Sequence, residues 1–204
     1  MLETLIAYGK ASLLRKARGA DKRGGRLVAV IECMLNQNAR DAGAATCPSM
    51  NGDVVELCRE HGVGILQMPC PEVSCLGINR TRTAGQSIRG LLDTDSGRHC
   101  CRTIAMETAN RLEMYDRAGY RVLAVLGGNV QSPGCAVHGH EQDLLPESGI
   151  LMQELHAELR KRGLQTPFRG MRDASPELLA EDLRWLRSLF TASFDSAWPH
   201  ETYP

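Results

Sequence analysis

Three of the eight cysteines follow short apolar segments of the chain, each at or just past the segment's end: Cys33, Cys70 and Cys135. Thiolate sulfur is a soft ligand that favours iron–sulfur clusters, copper and zinc. If the three segments are parallel strands, their carboxyl ends lie at one edge of a sheet, where ligands of α/β proteins bind. The pattern therefore predicts a soft-metal or iron–sulfur site at that edge. The alternative is that the three are buried small hydrophobic residues, as many free cysteines are.

Two polar residues accompany these cysteines. Glu72 lies two residues after Cys70 in Pro-Cys-Pro-Glu, and the prolines restrict how its carboxylate is presented, so it is a candidate general base. Ser132 lies three residues before Cys135 in a turn rich in glycine and proline, where a hydroxyl and backbone N–H groups can bind developing negative charge. Each of these two residues taken alone is also typical of a solvent-facing or capping position.

The elements that would position these residues alternate between strand and helix patterns. Strands are predicted over residues 26–34, 63–68, 121–126 and 167–171, and helices over 2–18, 54–61, 98–118, 149–163 and from 175 onward. Continuous apolar strands separated by helices are typical of a parallel sheet covered on both faces. We therefore predict one Rossmann-like α/β domain over residues 26–190, preceded by a helix and linker over 1–25 and followed by a tail over 191–204.

Composition restricts the classes of function. Hydrophobic residues make up 43% of the chain and the formal net charge is zero, so no basic surface for a nucleic acid polymer is predicted. No segment has the roughly 20 consecutive apolar residues of a membrane span, and the N-terminus lacks the features of a secretory signal. We expect a cytoplasmic protein. In that reducing compartment eight cysteines favour metal binding, catalysis or burial over a disulfide framework.

Three segments of the chain together resemble the signature segments of the thiouracil desulfidase family. They are Cys33-Met34-Leu35-Asn36-Gln37-Asn38-Ala39-Arg40, Pro69-Cys70-Pro71-Glu72-Val73 and Ser132-Pro133-Gly134-Cys135. The resemblance covers roughly residues 26–172 and is closer to a branch of desulfidase-related proteins. It departs from the family after Glu72, where Cys75 is an additional cysteine that could also reach the site.

The resemblance implies a 4Fe–4S cluster bound by Cys33, Cys70 and Cys135, with one iron lacking a protein ligand. Glu72 and Ser132 would then be the acid/base residues, and the substrate a thiolated small molecule such as a thiouracil, from which sulfide is removed. Asn36, Asn38, Arg40 and Arg80 are candidates to orient that substrate through amide and charged hydrogen bonds. Loop solvation and salt bridges are the ordinary roles of the same four residues.

Three further interpretations stay open. The cysteines could form a non-catalytic module that carries a cluster, a metal or sulfide. Cys70 or Cys135 could be the nucleophile of a thiol enzyme, with its pKa lowered at a helix N-terminus. Cys135 with His138 and His140 suggests zinc, although a structural zinc site needs four ligands and no second tight pair occurs. The N-terminal helix and the aromatic C-terminal tail are candidates for the contact of a homodimer.

Overall fold

The chain folds around a four-stranded, all-parallel sheet with the strand order β2-β1-β3-β6. The structure is a computed structural model, and it describes residues 22–140 and 143–193. The strands of this sheet are β1 (Arg26–Ile31), β2 (Gly64–Met68), β3 (Arg121–Gly127) and β6 (Phe168–Gly170). A small antiparallel hairpin is formed by β4 (Gly139–His140) and β5 (Asp143–Leu144). The prediction of a Rossmann-like α/β domain with about four parallel strands is confirmed.

Seven helices accompany these strands in the described residues. Four are short or of medium length: α1 (Glu32–Leu35), α2 (Gly52–Glu60), α3 (Pro71–Leu76) and α4 (Ile88–Leu92). The longer ones are α5 (Asp95–Arg117), α6 (Ile150–Lys161) and α7 (Pro176–Ala192). A single 3₁₀ turn covers Gln37–Ala39.

Strand order places the helices on opposite faces of the sheet. The connection from β1 to β2 runs one way across the sheet, whereas the connection from β2 to β3 passes back over β1. Because parallel crossovers are right-handed, this reversal puts α2 and α5 on different faces. Accordingly α5 packs against α6 and α2 packs against α7. The two central strands are covered on both sides, and every residue from Val28 to Ile31 is fully buried.

The first predicted strand was too long. Strand β1 ends at Ile31, and Glu32, Cys33 and Met34 belong to the single helical turn of α1. The apolar pattern continues past the strand because Met34 is fully buried beneath that turn. This correction moves Cys33 from a strand end to a helical turn that starts at the edge of the sheet.

Sequence patterns missed two short helices and the hairpin. Helix α3 has Pro71 at its first position, a common location for proline, and Cys70 as its N-cap residue. Helix α4 begins after Ser87, whose hydroxyl accepts a hydrogen bond from the Gly90 N–H at 3.0 Å. The other predicted helices and strands match observed ones within a few residues. The predicted N-terminal helix and most of the C-terminal tail lie outside the described residues.

No helix in the described part of the chain is both long enough and apolar enough to cross a membrane.

Candidate functional site

The carboxyl edge of the sheet contains the point at which the strand order reverses. Strands β1 and β3 are neighbours, but the chain leaves β1 toward β2 on one side and reaches β3 on the other. Ligands of open α/β sheets bind in the crevice that opens at such a point. Cys33 follows β1 by two residues and Cys135 lies in the loop after β3. The fold therefore places two of the three predicted ligands on either side of this crevice.

The loop after β3 folds back so that Cys135 lies against the end of its own strand. The Gly128 N–H donates to the Cys135 carbonyl at 2.8 Å. A Cβ atom at Gly128 would lie 2.8 Å from the Cys135 sulfur and 3.0 Å from the Ser132 hydroxyl oxygen. Both of these groups therefore occupy the space that a side chain at Gly128 would fill. The two residues that the sequence analysis paired are neighbours in the structure.

Cys70 is brought to the same place by two contacts between loops. Its backbone N–H donates to the Glu32 carboxylate at 2.8 Å, which joins the end of β2 to the end of β1. On the other side, a Cβ at Gly134 would lie 2.5 Å from Pro71 Cγ, so the Cys135 loop packs directly on the start of α3. The three predicted cysteines thus converge, and all three are buried, with exposed fractions of 4–8%.

The three thiols affect one another's ionisation. A hydrogen bond with Cys135 lowers the pKa of Cys33, and the same bond, followed by burial, raises the pKa of Cys135 well above its usual value. Burial raises the pKa of Cys70 to about 11, even though the backbone N–H of Val73 at the start of α3 acts in the opposite direction. Cys33 is therefore the first of the three to become a thiolate.

The three cysteines lie close together without forming a site for a single metal ion. Among the described residues, no three His, Cys, Asp or Glu side chains are close enough to bind one metal ion. The ring of His138 contacts the Val130 carbonyl at 2.9 Å. The donor set of three buried thiols does fit an iron–sulfur cluster, because in a cluster each cysteine binds a different iron atom.

Glu72 is held beside Cys70 by a buried arginine. Arg80 Nε donates to the Glu72 carboxylate at 2.7 Å, and Arg80 Nη2 lies 3.9 Å from the Cys70 sulfur. The remaining contacts of the guanidinium group are with the carbonyls of Ile78 and Ala39. Arg80 is only 2% exposed and has a φ angle of 45°, in the left-handed region that residues other than glycine rarely occupy. The structure thus brings Glu72 and Arg80 to the cysteines, and a role of Arg80 in binding substrate stays a prediction.

The two predicted asparagines lie at the surface. Asn36 is the N-cap of the 3₁₀ turn, and its side-chain oxygen accepts hydrogen bonds from the backbone and side-chain amides of Asn38. Both residues are exposed. Their visible role is to cap this turn, and substrate binding by either residue stays a prediction.

Arg40 belongs to a buried polar group that the sequence analysis missed. Its Nη2 atom donates to both carboxylate oxygens of Asp173 at 2.7 Å. Asp173 also accepts hydrogen bonds from three other side chains, namely those of Asn129 (2.7 Å), Thr46 (3.1 Å) and Gln37 (3.3 Å). Asp173 follows β6, so its position after a fourth predicted strand was the available signal for a residue at the same edge. We name this group, consisting of Gln37, Arg40, Thr46, Asn129 and Asp173, the Asp173 cluster.

The loop that carries Asp173 is fixed to helix α7. The buried carboxylate of Asp182 accepts hydrogen bonds from the Arg172 backbone N–H at 2.9 Å and from the Arg172 side chain. Arg169 on β6 binds the same carboxylate at 2.8 Å. This anchoring holds Asp173 at the carboxyl edge.

The other cysteines are separate from this group. Cys75 forms a disulfide with Cys100 on α5, so it is not a free thiol that could be an additional ligand. Cys58 and Cys101 are fully buried in the core, and Cys47 is partly exposed with its sulfur 3.1 Å from the Met50 carbonyl. Cys58 is therefore a core residue.

An open cavity of about 470 Å³ reaches Ser132 from the outside. Ser132 is half-buried and lines this cavity, and its hydroxyl oxygen and the Cys135 sulfur both lie beside Gly128. The cavity is lined by residues of two loops and α4, namely Arg89, Val130, Gln131, Ser132, Pro133, Pro146 and Glu147. Ser132 thus belongs both to this cavity and to the surroundings of Cys135.

Comparison with known proteins gives one distant relative. The chain is 29% identical over 139 residues to an uncharacterized protein of the archaeon Methanocaldococcus jannaschii, and the match covers 68% of this chain and 81% of the relative. No family model matches the chain. No solved structure matches it either.

Proposed function

We propose that this protein is an iron–sulfur-dependent desulfidase that removes sulfur as sulfide from a thiocarbonyl or thiol small molecule, such as a thiouracil. One observation carries the proposal: three buried thiols from separate loops converge at the reversal point of the sheet, with a buried carboxylate and a hydroxyl group beside them. Buried cysteines that only fill space need no such polar neighbours.

Cys33, Cys70 and Cys135 would hold a 4Fe–4S cluster. When bound through three cysteines, such a cluster supplies one iron without a protein ligand, a Lewis acid with high affinity for sulfur. The burial of the three thiols favours this assignment, because a shell that excludes solvent controls access to a metal site.

Glu72 is the proposed general acid/base. The Glu72 residue is 8% exposed. Its carboxylate accepts a hydrogen bond from the Arg80 Nε–H, which keeps it next to Cys70 rather than in solvent. From that position it would accept a proton from the water that attacks the substrate carbon. The overall reaction balances as hydrolysis: water supplies the oxygen of the new C–O bond, the C–S bond breaks, and the sulfur leaves as hydrogen sulfide, so no external oxidant or reductant is required.

Ser132 is proposed to act on the substrate from the cavity side. Ser132 lines the open cavity, and its hydroxyl oxygen lies beside Gly128 together with the Cys135 sulfur. From there it would donate a hydrogen bond to the substrate or transfer a proton. A cytoplasmic location agrees with an oxygen-sensitive cluster, and the zero net charge agrees with a small-molecule substrate instead of a nucleic acid polymer. Assembly as a homodimer is part of the same proposal.

The decisive experiment is anaerobic reconstitution followed by quantification of iron, acid-labile sulfide and sulfide released from 2-thiouracil. We expect about four irons per chain and measurable sulfide release by the native sequence. Glu72→Gln should keep the iron but lose roughly 100-fold or more of the turnover, as expected for a general base. The matched control is Glu56→Gln, an exposed glutamate on α2 whose side chain is 50% exposed and whose partner is Arg59.

The outcomes separate the open alternatives. A colourless protein without iron would overturn the desulfidase proposal. Full iron content with no turnover of any thiolated compound, in the native sequence and in Glu72→Gln alike, would favour the non-catalytic module. Strong alkylation at one of Cys70 and Cys135 in a protein that binds no iron would favour a thiol enzyme.

A further inference from the structure

Arg40 has one buried donor without a partner. Its side chain is only 8% exposed, and the guanidinium group is held by Asp173 through Nη2 and by the Ala44 carbonyl through Nη1 at 3.0 Å. Its Nε atom is buried and finds no acceptor among the described residues. An unsatisfied buried donor destabilises a fold, and more so when the group is charged. An arginine held so firmly on one side, with a free N–H on the other, is therefore suited to a further acceptor.

Cys33 is the neighbour that can supply this acceptor. The Arg40 Nη2 atom lies 3.9 Å from the sulfur of Met34, the residue after Cys33. The Gln37 amide donates both to the Cys33 carbonyl at 2.9 Å and to Asp173 at 3.3 Å, so the Asp173 cluster also contacts the Cys33 backbone.

Charge balance supports the same pairing. Asp173 neutralises Arg40 in the absence of other charges, so the site has no excess positive charge for a free anion. A cysteine binds a metal as the thiolate, so Cys33 as a ligand would bring one negative charge near Arg40, whose buried Nε–H has no acceptor among the described residues. A charge-assisted hydrogen bond to the thiolate would then satisfy the buried donor.

We propose that Arg40, fixed by Asp173, is a positioning residue that donates its Nε–H to the sulfur of Cys33 when this sulfur is a metal-bound thiolate. The inference rests on the proposed function, because it concerns the same cysteine ligand. Hydrogen bonds to ligand sulfur stabilise the more negative, reduced form of an iron–sulfur cluster and thereby raise its reduction potential. Residues that hydrogen-bond a metal ligand and so orient it typically contribute 10- to 100-fold to metal affinity. Lysine would preserve the charge of Arg40 but not its planar set of donors.

The test compares Arg40→Gln and Arg40→Lys with the native sequence and with Arg82→Gln. Arg82 is a matched control, since it forms an exposed pair at 3.8 Å with Asp41, the residue that follows Arg40. On reconstituted protein we expect Arg40→Gln to lower the reduction potential of the cluster and to accelerate loss of iron to a chelator about 10- to 100-fold. Arg40→Lys should lie between Arg40→Gln and the native sequence, and Arg82→Gln should match the native sequence. A native potential and native iron retention in Arg40→Gln would overturn the proposal.

A second measurement keeps this inference separate from the proposed function. In the metal-free protein, site-resolved alkylation with iodoacetamide reports the reactivity of Cys33 directly. We expect Cys33 to react several-fold more slowly in Arg40→Gln than in Arg82→Gln, with thermal unfolding confirming that each variant is folded. If the native sequence binds no iron, the proposed function fails, while this measurement still decides whether Arg40 acts on Cys33. Equal reactivity of Cys33 in Arg40→Gln and Arg82→Gln would show that the Arg40 guanidinium group does not act on the Cys33 sulfur and would overturn the proposal.

Discussion

Two groups of buried cysteines in this protein differ in their surroundings. Cys58 and Cys101 lie in the core with exposed fractions of 1% and 0%, and burial is the main cause that raises the pKa of each to about 12. Cys33, Cys70 and Cys135 are buried almost as deeply, but they have polar and charged neighbours and influence one another. Burial alone therefore does not separate the core cysteines from the three that we propose as ligands. The two groups differ in the polar and charged side chains around their sulfur atoms.

The difference between the two groups is tested most directly by replacing cysteines in both of them. We expect each of Cys33→Ser, Cys70→Ser and Cys135→Ser to lose most of the iron and sulfide after anaerobic reconstitution, because a hydroxyl is a poor soft-metal ligand. Cys58→Ala and Cys101→Ala should retain both in full. If a core variant lost the cluster while an edge variant kept it, the assignment of ligands would be wrong.

A second prediction concerns the carboxylate of Asp173, which lies at the same edge of the sheet as the three cysteines. Burial would raise the pKa of Asp173, but its hydrogen bonds with Arg40, Asn129 and Thr46 outweigh burial and lower it. Since the folded-state pKa lies below the unfolded value, near 3.9, this carboxylate stabilises the fold above that pH. The stabilisation is lost as the pH falls through the lower, folded-state pKa.

Asp173→Asn should accordingly lower the free energy of unfolding by about 3 kcal/mol at pH 7, because it leaves the buried Arg40 without its counter-ion. Urea unfolding measured between pH 7 and pH 3 should show the native and variant curves approaching each other at the acid end. A difference that does not depend on pH would contradict the role given to this carboxylate.

A third prediction concerns the close packing of Gly128 against the Cys135 loop. Gly128→Ala would place a methyl group 2.8 Å from the Cys135 sulfur, so the Cys135 loop must shift. We expect a loss of about 1–3 kcal/mol in unfolding free energy, as in other overpacked sites, together with weaker retention of iron. Gly52→Ala is the control, because nothing lies within 4 Å of its added methyl group. Equal iron retention in the two variants would show that the crowding at Gly128 is not needed to place Cys135.

The smallest expected effect is on the free energy of unfolding when the core cysteine Cys58 is replaced. Cys58→Ala removes one buried sulfur from the packing of α2 and should cost about 1 kcal/mol in urea unfolding. Alkylation of Cys58 in the folded native protein should be negligible near pH 8, because its pKa is about 12. Rapid modification at Cys58 would show that the core opens at this helix.

Sequence patterns predicted the sheet and its loops because the information is local. A run such as the fully buried Val28–Ile31 has one stable environment in an α/β domain, and the carboxyl ends of parallel strands must share an edge. Convergence of Cys33, Cys70 and Cys135 followed from these two facts, and the structure agrees with it.

Contacts between distant loops could not be read from the sequence in the same way. Asp173 and Arg40 are 133 residues apart, and nothing local in either segment specifies the other. The partner of Glu72 was missed for a different reason. Arg80 is near in sequence, but its turn back toward Cys70 depends on a left-handed backbone conformation at a residue type that seldom adopts one. Cys75 was ambiguous because its partner Cys100 lies on a separate helix.

The packing of Gly134 against Pro71 has a consequence for how the protein folds. The two residues belong to loops that follow different strands, and each fits only if β2 and β3 already flank β1. No fragment that lacks one of these strands can bring the three thiols together, so the site should form in the same cooperative step as the sheet. A truncation before β3 would remove this packing.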